Sequence, residues 1–329
     1  MEKMAVAGSS REFYRIKNTE ADFATAGFKT AHTTAANLRA GDKSTAVLMI
    51  WDGNDKDWDY FLALNEIDEL KNLIPSIIEE KRAENKLLVR DCGNFTLKNL
   101  FEIYKNNAEI QKKMLENIAE KLTFWQSVKI PDTNIISSRI FGMSDLLWES
   151  DYFREHISPL FPETKNLFFS EAFDEERRTL AKEADKLPKC LMHRDFQSEN
   201  IVFFNDNVCD SLQAKVFEPS FVDVQGVRTG PKFYDAASLI FDPYLYPQIN
   251  GELRNSFLQK MRIEDKTALH LCALQRLMQA MGAYGNLSKN KGKPHYGAFI
   301  KPAAVQAAQI CKEVGFFKIL QEIFDITSR

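Results

Sequence analysis

The octapeptide His-Arg-Asp-Phe-Gln-Ser-Glu-Asn, residues 193–200, decides how the rest of the chain is interpreted. The apolar run Cys190-Leu191-Met192 precedes it, and Ile201-Val202-Phe203-Phe204 follows it. Short apolar runs of this kind are typical of buried strands, so the sequence predicts a polar loop between two strands. The loop presents one carboxylate, Asp195, and one side-chain amide, Asn200.

The order of Asp195 and Asn200 suits phosphoryl transfer. In that chemistry a loop aspartate orients the attacking hydroxyl and accepts its proton, and a downstream asparagine helps to hold Mg²⁺. The octapeptide matches the pattern H-R-D-x-x-x-x-N of such loops at every specified position. The competing interpretation is a surface turn whose Asp and Asn side chains bind backbone groups.

A second carboxylate favours the catalytic interpretation. The stretch Phe221-Val222-Asp223-Val224-Gln225 predicts a strand in which Asp223 has apolar neighbours, where a charge is costly unless it is paired or bound to a metal. Mg²⁺ takes a few oxygen ligands together with substrate phosphates. Asp195 is therefore predicted to be the base, and Asn200 and Asp223 are predicted to hold the metal. The alternative for Asp223 is a turn residue at the end of a strand.

Composition sets the class of protein. The chain has 329 residues and a net charge of −3, so it can bury a large core in two lobes and lacks the basic character of a dedicated nucleic-acid binder. Its five cysteines form no C-x-x-C pair, which argues against a disulfide framework or a zinc site and suits a reducing cytoplasm. No apolar signal segment or long uncharged apolar run is evident. We expect a cytoplasmic monomer that binds a small molecule and neither nucleic acid nor membrane.

Small residues precede the first predicted strand. Ser9 and Ser10 follow Gly8 and lead into Phe13–Ile16. Such residues let backbone amides approach a phosphate, so both serines are candidate nucleotide contacts. A plain hairpin turn is the alternative.

The second predicted strand, 45–51, lacks an expected lysine. A kinase-like small lobe carries its phosphate-binding lysine on this strand, but here the central position is Met49. Arg11, Arg15 and Lys43 are the candidates for the missing positive charge, and the sequence leaves the choice open.

A third strand, 86–93, ends in a glycine turn. In a two-lobed kinase this segment would be the hinge, where Arg90, Asp91 and Cys92 contact the nucleotide base. The predicted domains are a nucleotide-binding lobe, 1–93, and a catalytic and acceptor-binding lobe, 94–329.

Apolar residues recur at helical spacing through most of the remaining chain. Asp235 lies at the first turn of one helix, where capping and the helix dipole explain an acid. The glycine-rich, basic segment 285–297 predicts a mobile loop. The predicted helices cover 57–73 (ended by Pro75), 97–128, 171–187, 233–241 and most of the chain after 251.

The motifs together resemble the aminoglycoside phosphotransferase/choline kinase superfamily. The chain is most similar to bacterial anomeric sugar kinases of the N-acetylmuramate/N-acetylglucosamine 1-kinase type, which also carry methionine at the position of Met49. The superfamily motifs are His193–Asn200, Asp223-Val224-Gln225-Gly226 and Gly230-Pro231-Lys232-Phe233-Tyr234-Asp235. The sugar-kinase features are Ser10-Arg11-Glu12-Phe13-Tyr14-Arg15, Val47-Leu48-Met49, Leu274-Gln275-Arg276 with Gly282, and Gly292-Lys293-Pro294-His295-Tyr296.

The resemblance implies a fold and a set of roles. The fold would be α+β and bilobal, like a protein kinase, with a small β-rich lobe and a large, mainly helical lobe. ATP (or GTP) with Mg²⁺ would donate the γ-phosphoryl group to a small hydroxyl acceptor, with Asp195 as base and Asn200 and Asp223 on the metal. The acceptor pocket would include Arg228, Gln275, Arg276, Trp148 and Glu149, although Arg276 could equally be a structural ion-pair partner.

Three functions remain open. The first is an anomeric kinase that makes a sugar 1-phosphate from an N-acetylated amino sugar; Arg228 and Arg276 favour such an acceptor, with its carboxylate or acyl group. The second is an aminoglycoside or choline-type phosphotransferase, and the third is a nucleotide-binding regulator without turnover, suggested by Met49. The acids that favour a cationic acceptor are Glu149, Asp151, Glu171 and Asp174.

Overall fold

The structure is a computed structural model that describes residues 1–4, 11–17, 25–28, 45–51, 55–204 and 218–329. Its N-terminal part contains a five-stranded antiparallel sheet in the order β1-β2-β3-β5-β4. Strands β2, β3 and β5 confirm the three predicted strands, whereas β4 was not predicted. The strands are β1 (Glu2–Lys3), β2 (Glu12–Lys17), β3 (Thr45–Ile50), β4 (Ile77–Lys81) and β5 (Lys86–Arg90).

The central strand β3 is buried on both faces. Leu48 packs with Phe28 and Leu88 on one face, and Met49 belongs to the main core on the other. Met49 is only 5% exposed. Met49 cannot supply a positive charge, so the predicted phosphate-binding charge is expected on another residue.

Helix α1 (Asp55–Asn65) is shorter than the predicted helix. The Asn65 side chain donates to the Phe61 carbonyl at 3.1 Å and accepts from the Ile77 N–H at 2.9 Å. These bonds turn the chain toward β4, with a short 3₁₀ helix at Asp68–Leu70 between them. The prediction of one helix that continues to Pro75 is wrong.

The rest of the described chain is mainly helical, which confirms the predicted α+β class. Two small sheets, β6-β8-β9 and β7-β10, are set among the helices. The helices are α2 (Leu97–Ile103), α3 (Ala108–Ser127), α4 (Met143–Ile157), α5 (Lys165–Phe168), α6 (Glu171–Asp185), α7 (Tyr234–Ile240), α8 (Gly251–Lys260), α9 (Lys266–Asn290), α10 (Ile300–Val314) and α11 (Lys318–Thr327). The strands are β6 (Phe95–Thr96), β7 (Lys189–Met192), β8 (Ile201–Phe203), β9 (Pro219–Phe221) and β10 (Arg228–Pro231).

Strands β7 and β8 are the two that were predicted to flank the octapeptide. Each pairs with a strand near Asp223: β8 with β9 and β7 with β10. The loop 193–200 is thus held between two small sheets. The strand predicted over 214–217 lies outside the described residues.

Helices α4 and α9 approach each other closely at two glycines. A Cβ atom on Gly282 would lie 2.8 Å from a ring carbon of Tyr152. One on Gly285 would lie 2.7 Å from the carbonyl oxygen of His156. Both glycines are therefore needed for helix packing.

The mobile loop predicted over 285–297 is wrong. Helix α9 continues to Asn290, and a 3₁₀ helix spans Pro294–Phe299. Gly285 is explained by close packing rather than by flexibility.

One core extends through both parts of the chain. Met49 and Leu87 in the sheet belong to the same cluster of buried residues as Phe153 in the helical part. The Asn134 side chain also donates to the Ala63 carbonyl at 2.7 Å. The division of the chain between residues 93 and 94 stays a prediction.

The described cysteines, Cys92, Cys190, Cys272 and Cys311, are free thiols. Among the described helices, none is long and apolar enough to cross a bilayer.

Replacing Gly285 with Ala should destabilise the fold by about 1–3 kcal/mol, because the added methyl group meets a backbone carbonyl that cannot rotate away. Urea unfolding measures the change. The matched control is Gly251→Ala, where a Cβ atom would meet nothing within 4 Å. Equal stability of the two variants would contradict the packing described for α4 and α9.

Candidate active site

Two buried carboxylates hold the backbone of the loop 193–200. Asp235 accepts the N–H of His193 at 2.7 Å and the N–H of Arg194 at 3.0 Å. Asp242 accepts the N–H of Ser198 at 2.7 Å. The expectation that Asp235 serves its own helix as a cap is wrong, since its oxygens bind the loop instead.

The loop adopts a conformation that needs such support. Arg194 has φ 79°, in the left-handed region that non-glycine residues rarely occupy. The His193 ring is buried and contacts the Val222 carbonyl at 3.0 Å through Nε2. Burial lowers the pKa of His193. His193 therefore ties the loop to the end of β9, a structural role that leaves proton transfer to another residue.

Asp195 is fixed by two side chains. Arg276 Nη2 donates to its Oδ1 at 2.5 Å. Asn200 Nδ2 donates to its Oδ2 at 3.2 Å and to its backbone carbonyl at 2.9 Å. Burial raises the pKa of Asp195, but Arg276 and Arg194 outweigh that effect and hold the pKa below its usual range. The carboxylate is therefore ionised and oriented.

Arg276 is itself held in place. Its Nε donates to the Ser238 hydroxyl at 3.0 Å, its Nη1 donates to Gln279 Oε1, and its Nη2 is 3.4 Å from Gln197 Oε1. Arg276, which was predicted to contact the acceptor, is therefore bonded to Asp195, the predicted base.

Asn200 and Asp223 lie on adjacent segments. The Val222 N–H donates to the Asn200 carbonyl at 2.9 Å, which joins the end of β9 to the start of β8. Asp223 follows β9 in a left-handed conformation, φ 62°, and its side chain is 42% exposed. The expectation of a strand residue in apolar surroundings is wrong. Asp223 is a turn residue at a strand end.

The two predicted protein ligands could bind Mg²⁺ only together with phosphates of a substrate. One carboxylate, Asp223, and one amide, Asn200, are oxygen ligands of the type that this ion prefers, and it completes its shell with phosphates and water. The Asn200 nitrogen is turned toward Asp195, which leaves its oxygen on the opposite side of the amide group. Within the described ranges, no group of three or more His, Cys, Asp or Glu residues could hold a metal.

Arg11 lies beside Asp223, one of the two predicted metal ligands. Its Nη2 donates to Asp223 Oδ1 at 3.0 Å, and its guanidinium lies 4.9 Å from the ring centroid of Trp51. Gln225 Nε2 also donates to Asp223 Oδ1, at 2.5 Å. Arg11 therefore holds a positive charge beside Asp223, where Met49 cannot.

The other predicted nucleotide residues have internal contacts. Arg15 makes two bonds to Asp91, at 2.6 and 3.1 Å, and a third to the Gly93 carbonyl at 3.0 Å. The Arg90 guanidinium binds the Ile74 carbonyl at 2.8 Å, and Cys92 is buried. Their backbone contacts to a base stay a prediction. Ser9, Ser10 and Lys43 lie outside the described residues.

The remaining residues predicted to contact the acceptor differ in exposure and in hydrogen bonding. Arg228 donates to the Gly226 carbonyl at 3.0 Å and to Asp145 at 3.3 Å. Trp148 is 50% exposed and its ring stacks on a neighbouring tyrosine. Gln275 is fully buried, and both polar atoms of its side chain lack a hydrogen-bond partner among the described residues.

Glu149 is fully buried and does not reach a surface. It accepts the Tyr234 hydroxyl at 2.5 Å and lies 3.9 Å from Arg194 Nη2. Burial raises the pKa of Glu149 to about 7 against the opposing effects of Arg194 and Tyr234. Glu149 thus lies beneath the protein surface, next to Arg194 of the loop 193–200. This position does not favour direct contact with an acceptor.

One group beside the loop was missed by the sequence analysis. Its aromatic members, called the aromatic cluster below, are Tyr244, Tyr284, Tyr296 and Phe299, with contacting ring centroids 4.5–6.5 Å apart. Lys98 lies over two of these rings and donates to Glu199 at 2.6 Å. Tyr296 was named only as part of a motif and given no role, because its segment was predicted to be a mobile loop.

Comparison with solved structures identifies the architecture. An ethanolamine kinase from Plasmodium vivax superposes with a TM-score of 0.57 at 13% identity, over 97% of this chain and 83% of that one. A choline kinase from Streptococcus pneumoniae gives 0.54 at 12% identity, over 92% of each chain. The ADP-bound aminoglycoside phosphotransferase APH(2'')-Ib gives 0.51 at 14% identity, over 85% of this chain and 88% of that one. The chain has a bilobal, protein-kinase-like fold.

At these identities the likeness concerns the fold alone. No family model matches the sequence. No curated protein matches it either. The roles of individual residues therefore depend on the geometry of the site.

Glu149 predicts a pH dependence of stability. Its folded pKa of about 7 is above the ordinary 4.5, so the stability that this shift contributes is full below about pH 4 and is lost as the pH rises through about 7. Glu149→Gln removes this titration. Between acid and neutral pH the variant should lose less unfolding free energy than the wild type, by about 1–3 kcal/mol.

Urea unfolding across that pH range measures the difference between the two proteins. Glu155→Gln is the control, because the Glu155 side chain is 71% exposed on the same helix. Parallel stability curves for the wild type and Glu149→Gln would show that Glu149 does not titrate as described.

Proposed function

We propose that the chain is a small-molecule kinase that transfers the γ-phosphoryl group of ATP to a hydroxyl group. The acceptor that we favour is the anomeric hydroxyl of an N-acetylated amino sugar, N-acetylglucosamine or N-acetylmuramate, which gives a sugar 1-phosphate. The observation that carries the proposal is the ionised carboxylate of Asp195, held by Arg276 at 2.5 Å and by Asn200 at 3.2 Å in a kinase-like fold.

Asp195 would orient the acceptor hydroxyl and take its proton. The acceptor oxygen forms a bond to the γ-phosphorus, the bond from that phosphorus to the bridging oxygen of ATP breaks, and ADP leaves with the electron pair. The proton passes from the acceptor to Asp195 and then to water. Arg276 keeps the carboxylate pointed at one position throughout, because its own side chain has three further partners.

Two residues would hold the metal and a third would bind phosphate. Asn200 and Asp223 supply the two protein ligands, and bound Mg²⁺ would neutralise charge on the transferred phosphate. Arg11, 3.0 Å from Asp223, would provide the positive charge that Met49 does not. Ser9 and Ser10 precede it in the sequence and remain candidates for backbone contacts to phosphate.

The anomeric hydroxyl suits the base that this site offers. A carboxylate bound to a buried arginine is a weak base, because protonation would break a charged hydrogen bond. An anomeric hydroxyl is more acidic than an ordinary alcohol, so it gives up its proton to such a base more readily. This match supports the sugar acceptor.

A second candidate is phosphorylation of a cationic acceptor. Its support is that the neighbours in fold are named as kinases of ethanolamine, choline and aminoglycosides. Against it, Asp151 and Asp174 are neutralised by Arg154 and Arg177 at 2.5–3.3 Å, and Glu149 is buried. A cytoplasmic location and a monomeric state are part of the proposal, and the nucleotide is ATP or GTP.

Replacing Asp195 with Asn should lower kcat by about 10²–10⁴-fold, because the amide cannot accept the acceptor proton. Nucleotide affinity should be unchanged. The measurement is ADP release in the presence of Mg-ATP and N-acetylated amino sugars, with nucleotide binding followed by calorimetry. Asp68→Asn, at a side chain 83% exposed, is the control.

Full activity of the Asp195→Asn variant would remove Asp195 from the mechanism. A wild-type protein that binds ATP but phosphorylates no sugar, aminoglycoside or choline would instead favour the third hypothesis, a nucleotide-binding regulator.

Replacing Arg11 with Ala should weaken binding of ATP and ADP by about tenfold or more, since it removes a charged contact to phosphate. Affinity for adenosine, which has no phosphate, should stay the same. The ATP affinity of Arg11→Lys should lie between those of the wild type and Arg11→Ala. Lysine keeps the positive charge but lacks the planar guanidinium group that donates two parallel hydrogen bonds. The control is Lys17→Ala, at an exposed residue at the far end of β2, the strand that begins directly after Arg11.

Calorimetric titration of each variant with ATP, ADP and adenosine makes this comparison. An equal loss of affinity for all three ligands would mean that Arg11 shapes the lobe rather than binding phosphate.

A further inference from the structure

The aromatic cluster is fastened to the catalytic loop at two points. Asp242 accepts the Ser198 N–H at 2.7 Å and the Tyr244 N–H at 2.9 Å, so one carboxylate joins the loop to the cluster. Glu199, which directly precedes Asn200, accepts Lys98 Nζ at 2.6 Å. The cluster therefore has a defined position beside the loop that carries the base.

The faces of the cluster already carry a cation. Lys98 Nζ lies 4.7 Å from the ring centroid of Tyr244 and 5.5 Å from that of Phe299. Aromatic faces attract ammonium groups within about 6 Å, which is also how proteins recognise ammonium ligands. Here the lysine of the chain occupies the place that an ammonium ligand would take.

The group remains open to solvent. The side chains of Lys98 and Glu199 are 35% and 32% exposed, and Tyr244 and Phe299 are half-buried. Burial and the nearby Glu199 raise the pKa of Tyr296, so its hydroxyl stays neutral. A ligand can therefore reach Tyr244 and Phe299 together with one strong donor and one strong acceptor, whereas Tyr284 and Tyr296 are buried.

All members of the group belong to the helical part of the chain. Lys98 lies on α2, Tyr284 on α9, and Tyr296 in the following 3₁₀ helix. Arg11, proposed to bind phosphate, directly precedes β2 of the large sheet and contacts Asp223, proposed to hold the metal, at 3.0 Å. Because the attacking and leaving oxygens lie roughly in line in phosphoryl transfer, the acceptor approaches from the side away from the nucleotide.

We propose that Lys98, Glu199 and the aromatic cluster form the acceptor-selecting wall of the site, which takes a hydroxyl-rich sugar ring and rejects an acceptor that bears an ammonium group there. The ring contacts the exposed parts of Tyr244 and Phe299, while Lys98 donates to ring hydroxyls and Glu199 accepts from them. An ammonium group would face Lys98 at close range, where like charges repel. This inference rests on the proposed kinase function and names its acceptor class.

The test compares two sugars with the same ring, one with a neutral N-acetyl group and one with an ammonium group in its place. N-acetylglucosamine is neutral, and glucosamine has the same ring with an ammonium group when the pH is below the pKa of its amine. Binding of each sugar is measured by calorimetry on the full chain, and phosphorylation is measured separately as kcat/KM. Wild-type protein should prefer the neutral sugar in both measurements.

Lys98→Met removes the charge but keeps an apolar side chain over the rings. The preference for N-acetylglucosamine over glucosamine should fall by about tenfold, because the like-charge repulsion is gone. ATP affinity and thermal unfolding should not change. The control is Lys105→Met, which removes an exposed lysine from the turn just after the same helix.

The outcomes separate this inference from the kinase proposal. If the two sugars show the binding preference and its loss in Lys98→Met without being phosphorylated, the selecting wall stands and the kinase proposal fails. An unchanged preference in Lys98→Met overturns the wall even if phosphorylation is fast. Binding of neither sugar, or tighter binding of glucosamine by the wild type, overturns it as well.

Discussion

The two hydrogen bonds from the loop backbone to Asp235 are the constraint on which the site depends. A fully buried carboxylate is costly unless hydrogen bonds compensate for lost water, and the N–H groups of His193 and Arg194 do so at 2.7 and 3.0 Å. Burial nonetheless raises the pKa of Asp235 to about 7. These bonds hold Arg194 in a left-handed conformation, and that turn directs Asp195 toward Arg276 and Asn200.

The Arg276–Asp195 pair gives the site its chemical character. Arg276 makes Asp195 a well-oriented but weak base, and a weak base suits an acidic hydroxyl more than a simple alcohol. Lys98 adds a second positive charge at the side where an acceptor would enter. Arg276 is paired with Asp195 and Lys98 with Glu199, so these two carboxylates already have cationic partners and are not free for a choline-type acceptor.

The spacing of apolar residues along the chain predicted much of the architecture. The contacts that it did not predict join residues that are distant in the sequence. The strands around the octapeptide and the main helices follow from apolar spacing, which is a property of neighbouring residues. Arg11 meets Asp223 across 212 positions, and Arg276 meets Asp195 across 81. No periodicity encodes such contacts. Asp223 was assigned to a strand because its neighbours are apolar, although a left-handed turn after β9 exposes its carboxylate. Gly285 suggested flexibility, but it serves the packing of α9 on α4.

The most direct test of the account is the identity of the product made from Mg-ATP and N-acetylglucosamine. Phosphorus NMR of the reaction mixture shows whether phosphate is transferred and which ring proton couples to it. We predict one new sugar phosphate whose phosphorus couples to the anomeric proton, formed in equal amount to ADP. A phosphate on another ring hydroxyl, or ADP formed with inorganic phosphate and no sugar phosphate, would contradict the account.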